Sequence, residues 1–147
     1  MEEITQQKGQ SIYKSIYNIQ SEIGALEKTE TNPFFTSKYI NINGVLTAVQ
    51  PYLEKNKLVL LQPINISDDK IKIETIIKSI ENDEELKTES IIPWDADPQK
   101  VGSIITYYRR YALISLLGLY TADQEDDDAN KAVNKTQQAN QETTDFL

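Results

Sequence analysis

No cysteine and no histidine occur among the 147 residues of the chain. Without cysteine there is no disulfide, no thiolate zinc site and no cysteine nucleophile. Without histidine the usual general base, the Ser-His-Asp triad and imidazole metal sites are excluded as well. Glycine is scarce: there are five, and none precedes a Lys-Ser or Lys-Thr pair. Neither common type of glycine-rich phosphate loop is therefore present, and strand exchange or unwinding driven by a nucleotide is not expected. No segment approaches the roughly 20 apolar residues of a membrane span. Met1-Glu2-Glu3 is acidic and no apolar stretch follows it, so no secretory leader is predicted. These absences predict a soluble, intracellular protein. They leave carboxylate, lysine, tyrosine or serine chemistry, or binding without chemistry.

Charge is unevenly placed. The chain carries 15 Lys plus Arg against 23 Asp plus Glu, a formal net charge of −8. Residues 123–147 hold seven acids and two lysines, which leaves a net charge of only −3 on the first 122 residues. Bulk acidity argues against coating DNA through overall charge, so a nucleic-acid site would have to be a local basic surface. Behind the acidic run come Asn, Lys, Gln and Thr with few apolar residues, too few to offset the entropy of ordering. The expected organisation is a folded domain over residues 1–127 and a flexible acidic and polar tail over 128–147. Asp126, Asp127 and Asp128, with Asp123 and Glu125 beside them, offer oxygen ligands for Mg²⁺ or Ca²⁺. A Ca²⁺ loop, however, places acids at alternate positions around a glycine, and this run does neither. A solvated charge run is the plainer reading, with no resident cofactor and at most an effect of Mg²⁺. A metal-dependent nuclease using these carboxylates is the enzymatic alternative, and it requires acids converging from several elements.

The body reads as helix, helix, three strands, helix. Ile12, Ile16, Ile19, Ile23 and Leu26 recur at three- and four-residue spacing and predict an amphipathic helix over residues 5–27. Residues 29–40 look irregular. A second helix is predicted to start near Asn41 or Asn43, either suited to cap it, with Val45, Leu46, Val49 and Leu53 buried and Pro51 kinking or ending its first part. Residues 58–66 form a dense apolar run of strand length, and Ser67-Asp68-Asp69 supplies a turn. Ile71, Ile73 and Ile77 then alternate with Lys70, Lys72, Glu74 and Lys78. A third strand follows, in which Leu86, Ile92 and Trp94 share a face with Thr88 and Ser90. The lysine row is an ordinary device on an exposed strand face. Three strands joined by short turns predict an antiparallel meander with one face needing a helix. Asp97 as N-cap, Pro98 at the first helical position and Gly118 as stop define that helix, with Val101, Ile104, Ile105, Tyr108 and Leu116 on its apolar side. The fold class is α+β: a three-stranded antiparallel meander packed on a long C-terminal helix, with N-terminal helices.

Two constellations suit binding. The last helix carries Gly102, Ser103, Thr106, Tyr107, Arg109, Arg110 and Tyr111 in one segment. Guanidinium forks grip phosphates, and flat rings stack on bases, the two requirements of single-stranded nucleic acid. Taken in isolation, the same residues more commonly describe tyrosines half-buried in a core and arginines in surface ion pairs. The second constellation is Asn32-Pro33-Phe34-Phe35-Thr36-Ser37-Lys38-Tyr39. It suits a loop touching a DNA backbone or a neighbouring subunit. Phe34 and Phe35 also suit a plug closing the sheet.

The element NP-x-x-x-SKY at residues 32–39 and the segment GS-x-x-TY-x-RRYAL-x-x-LLG at residues 102–118, followed by EDDD, occur in one chain in that order. Together they resemble the ERF family of phage- and prophage-encoded single-strand annealing proteins, over roughly residues 12–130. The resemblance implies an ATP-independent, non-enzymatic protein that binds single-stranded DNA, holds the nascent duplex and promotes phage recombination in the cytoplasm of a bacterial host. It also implies a homo-oligomeric ring or filament and kinship with the fold of ring-forming annealing proteins. Carried over by position, the candidate DNA-binding residues are Lys38, Tyr39, Ser103, Thr106, Tyr107, Arg109, Arg110 and Tyr111. Lys38, Arg109 and Arg110 are assigned to phosphates, and Tyr107 and Tyr111 to stacking. Asn32, Pro33, Phe34, Phe35, Ser37 and Gly102 are expected to shape the site, Gly102 by permitting close approach of helix and sheet. Asp145-Phe146-Leu147 is similar to the acidic, apolar-tipped ends through which single-strand-binding proteins recruit partners. A single-strand-binding protein or host recombination factor is accordingly a candidate partner, and no membrane is. An adaptor that reuses the fold without binding DNA is the non-enzymatic alternative.

Overall fold

The computed structural model of the chain describes residues 9–31 and 38–122. Its elements in chain order are α1 (Ile12–Ile23), β1 (Glu30–Thr31), β2 (Lys38–Tyr39), α2 (Ile42–Lys55), β3 (Leu58–Leu61), β4 (Ile64–Ser67), β5 (Lys70–Ser79), β6 (Glu85–Pro93) and α3 (Pro98–Leu117). The class is α+β, with three helices and antiparallel sheets among the described residues.

Helix α1 begins at Ile12 and ends at Ile23, shorter at both ends than the periodicity over 5–27 predicts. Its first amide is capped from outside: Ile12 N–H donates to the Glu84 carboxylate at 2.6 Å. A cap delivered by a residue far along the chain leaves no local signal for the start of the helix. Gly24, with φ at 66°, ends it before Leu26. Leu26 then joins the segment after α3, donating from its N–H to Tyr120 O at 2.8 Å. Between them, β1 and β2 pair antiparallel, Glu30 opposite Tyr39 and Thr31 opposite Lys38, where an irregular segment was expected.

Helix α2 starts where Asn41 accepts the Gly44 N–H at 2.7 Å, the cap foreseen at one of two asparagines. It buries Ile42, Val45, Val49 and Leu53. Pro51 does not end it, because the helix continues to Lys55 with Pro51 on the exposed side.

The sheet is a meander whose first lane is broken. Strands β3 and β4 both pair with β5, Leu61 opposite Ile76 and Ile64 opposite Ile73, so the register continues unchanged across Gln62 and Pro63. Pro63 has no N–H to donate to the ladder, which accounts for the interruption in what reads as one apolar run. Its carbonyl still accepts from Glu74 N–H at 3.1 Å. Strand β6 pairs along the other side of β5. Ile71, Ile73, Thr75, Ile77 and Ser79 of β5 are buried and their neighbours face outward, as the alternation predicts.

Helix α3 crosses this inner face. Asp97 accepts the Gln99 N–H at 3.0 Å, Pro98 opens the helix, and Gly118 closes it in the left-handed region at φ 63°. Its first half contributes Val101, Ile104, Ile105 and Tyr108 to a cluster with Ile71, Ile73 and Ile92. Its second half contributes Leu113 and Leu117 to the larger core with Ile12, Ile16, Ile19, Val45, Val49, Leu53 and Ile77. The helix therefore stands between sheet and helices, and its remaining face is left for the surface.

On the outer face of the sheet, Lys72 lies 3.1 Å from Glu89 and Lys87 lies 3.1 Å from Glu74, with Lys87 also 3.3 Å from Glu89. The carboxyl of Glu89 is held below its usual range by hydrogen bonds from Lys72 and Lys87, and the Lys87 ammonium is raised by Glu74 and Glu89. Lys72 and Lys87 are thus matched by acids.

Candidate nucleic-acid interface on α3 and β2

The geometry of the candidate site follows from two local choices. Strand β2 ends at Tyr39, Ile40 turns inward into the core, and Asn41 caps α2. Those three consecutive positions fix Tyr39 beside α3. On α3, Gln99, Ser103, Thr106 and Arg110 follow one another at three- and four-residue intervals and so share one helix face, and Gly102, four residues before Thr106, lies on it too. An open groove of about 640 Å³ runs between them, lined by Tyr39, Asn41, Gln99, Gly102, Ser103, Thr106, Tyr107 and Arg110.

The structure thus brings Tyr39, from the first sequence motif, to Gly102, Ser103, Thr106, Tyr107 and Arg110 from the second. The join is made by Arg110. Its guanidinium donates to Ile40 O at 3.3 Å and lies 5.1 Å from the Tyr111 ring centroid, 5.2 Å from that of Tyr39 and 5.8 Å from that of Tyr107. The Tyr107 and Tyr111 rings are 4.3 Å apart. Tyr39, Tyr107 and Tyr111 remain 37%, 50% and 45% exposed, so they are not core residues. The Tyr107 phenol is raised above its ordinary value, first by the neighbouring Tyr111 phenol and then by burial. Tyr108 points the other way, into the sheet cluster.

Arg109 diverges from Arg110 because successive residues on a helix point about 100° apart. Its Nε donates to Gln62 Oε1 at 3.2 Å, and the Gln62 amide donates back to Arg109 O at 3.0 Å and to Thr75 Oγ1 at 3.0 Å. Gln62 sits at the break between β3 and β4, so Arg109 reaches the sheet edge instead of the groove. Neither arginine forms an ion pair with a described residue.

Gly102 does not serve close helix–sheet packing: a Cβ there would meet nothing within 4 Å, because the residue faces the open groove. The Thr106 hydroxyl donates to Gly102 O at 3.0 Å within the helix. Lys38 is exposed on β2 beside the groove without lining it. Tyr111 lines a second groove of about 430 Å³ with Thr88, Ser90, Tyr108 and Ser115. Asn32, Pro33, Phe34, Phe35 and Ser37 lie outside the described residues, as do Asp126, Asp127, Asp128, Asp145, Phe146 and Leu147. Among the described residues no group of acids is arranged to hold a metal. Gln99 and Asn41 are lining residues that motif reading passed over. Gln99 was accessible in principle, lying one turn ahead of Ser103 on the predicted helix.

A family model of the ERF superfamily matches residues 12–145. The chain belongs to the ERF superfamily. The match takes in both motifs and all but one of the elements' residue ranges begin after its first residue. Membership places the chain among proteins of phage-type recombination and annealing, whose partner is DNA. Comparison with curated proteins and with solved structures finds no significant match. No helix among the described residues is long and apolar enough to cross a membrane.

Proposed function

We propose that this ERF-superfamily chain binds single-stranded DNA along the groove between α3 and β2 and anneals complementary strands without ATP. The observation that carries the reading is the convergence of the two motifs: Tyr39 and the Gly102–Tyr107 face meet in one groove around Arg110, with three exposed tyrosine rings beside it. Rings of this kind stack on bases of any sequence, and neighbouring cations attract the backbone, which is the chemistry of sequence-tolerant single-strand binding. Lys38 is exposed beside the groove, while Lys72 and Lys87 of the outer sheet face are compensated by acids.

Annealing demands no covalent chemistry, because complementary strands pair favourably by themselves. The obstacles are repulsion between strands, self-structure and the search for register. A surface that holds the backbone and leaves base edges accessible lowers the first two and permits sampling of the third. Aligning such grooves in a ring or filament of identical subunits, related to those of other ring-forming annealing proteins, lets an acidic chain present a continuous basic strip. In this reading the protein is not an enzyme, needs no resident metal or cofactor, and works on DNA in the host cytoplasm with a single-strand-binding protein or host factor at its tail.

The test is a mobility-shift assay with labelled oligonucleotides, light scattering with and without them, and an annealing assay lacking ATP. Binding that weakens with salt, a multimer, and accelerated pairing are expected. A monomer with no affinity for single strands refutes the proposal. Degradation of DNA with Mg²⁺, abolished by a chelator, would refute it in favour of a nuclease.

A further inference from the structure

Arg110 is one of three residues that the sequence motifs assign to phosphates, and its surroundings give it a different task. Its guanidinium is spent on a neutral carbonyl and on aromatic faces: one N–H goes to Ile40 O, and three tyrosine rings lie within 5.8 Å. Those partners come from two separate parts of the chain, Tyr39 and Ile40 from the β2 end and Tyr107 and Tyr111 from α3. Ile40 packs into the core that also holds Leu113 and Leu117 of α3, whereas on the groove side the tyrosines are half exposed and Arg110 makes the contact between the two parts. On that side the planar cation is the joint.

We propose that Arg110 is a positioning residue: it holds Tyr39 and Tyr107 as the stacking walls of the groove, and acts on the strand through them. The inference rests on the proposed binding of single-stranded DNA and adds how the site is made. A guanidinium suits this role where an ammonium does not. It is flat, less strongly hydrated and able to lie on rings while donating in its plane, whereas the lysine ammonium is a compact point charge. A residue acting only by charge on a phosphate would tolerate lysine. A residue acting by shape would not.

Arg110→Lys therefore separates the two roles at constant charge. Oligothymidine affinity is measured by fluorescence anisotropy across a salt series, together with the fraction of tyrosine emission quenched at saturating oligonucleotide. The expected result for Arg110→Lys is an affinity about tenfold lower, an unchanged slope of log affinity against log salt, and less quenching at saturation. Tyr39→Leu is expected to lose affinity with the same unchanged slope. The double variant should then lose little more than either single one, because both act through one joint. Wild-type affinity and quenching in Arg110→Lys would overturn the proposal, and so would fully additive losses in the double variant. Failure of the wild-type chain to bind oligothymidine is a separate outcome: it would overturn the binding proposal itself before any variant is compared.

Discussion

Replacing Gly102 by alanine should make the protein more stable and a poorer ligand for single-stranded DNA. Glycine inside a helix costs roughly 0.5–1 kcal/mol relative to alanine, chiefly through backbone entropy. At Gly102 nothing within the described structure compensates that cost: a Cβ would meet no atom within 4 Å, and the backbone is ordinary helix within α3. The substitution should therefore recover most of the difference, about 0.5–1 kcal/mol, or a rise in Tm of about 2–5 °C for a domain of this size. The same methyl group points into the groove with Ser103 and Thr106. If the strand lies against this face, alanine should weaken binding a few-fold, and Gly102→Leu should weaken it by more than tenfold while still folding. Thermal unfolding followed by circular dichroism and oligothymidine anisotropy on the same samples provide the two readings. A lower Tm in Gly102→Ala would refute the claim that the position is sterically free. Unchanged affinity in a folded Gly102→Leu would refute the strand path. Opposite movement of stability and binding is the signature, since a general folding defect moves both downward.

Three further outcomes follow from the fold. Leu53 is 1% exposed at the centre of the larger core, so Leu53→Ala should cost about 2–5 kcal/mol in urea unfolding. Gln62→Ala removes the donor shared by the buried Thr75 hydroxyl and Arg109 O, and should cost about 1–3 kcal/mol while releasing Arg109 from the sheet edge; a cost near zero would show that water replaces the amide. The folded-state pKa of Glu89 lies below its ordinary 4.5, so its contribution to stability is present above pH 4.5 and is lost as the pH falls through the lower folded value. Urea midpoints of the wild type and of Glu89→Gln should accordingly differ at pH 7 and converge on acidification below pH 4.5, with a smaller difference in high salt.

Much of the fold was legible locally because the signals are local. Asp97, Pro98 and Gly118 mark the ends of α3 through chemistry confined to a turn of chain, and each stands where that chemistry places it. The alternation along β5 records one buried and one wet face, and burial follows it residue by residue. The start of α1 was not legible, because its capping carboxylate belongs to Glu84 in the turn before β6. The break between β3 and β4 was signalled by Pro63, yet the apolar run around it reads as one strand, and its shared register with β5 shows why the reading nearly succeeds.

The candidate site divides along the same line. Residue types and spacing alone determined which side chains belong to the two motifs, that the histidine and cysteine chemistry of many enzymes is absent, and that any DNA contact must be local in an acidic chain. Tertiary structure alone decided how those side chains are shared out. The packing of β2 against α3 set Tyr39 beside Arg110 and Tyr107, although they are far apart in the chain. The turn of the helix sent Arg109 to Gln62 and Arg110 to the tyrosines, and opened Gly102 to the groove instead of the sheet. Sequence specifies chemical identity and local periodicity, but the direction in which a side chain points across an interface depends on how whole elements pack.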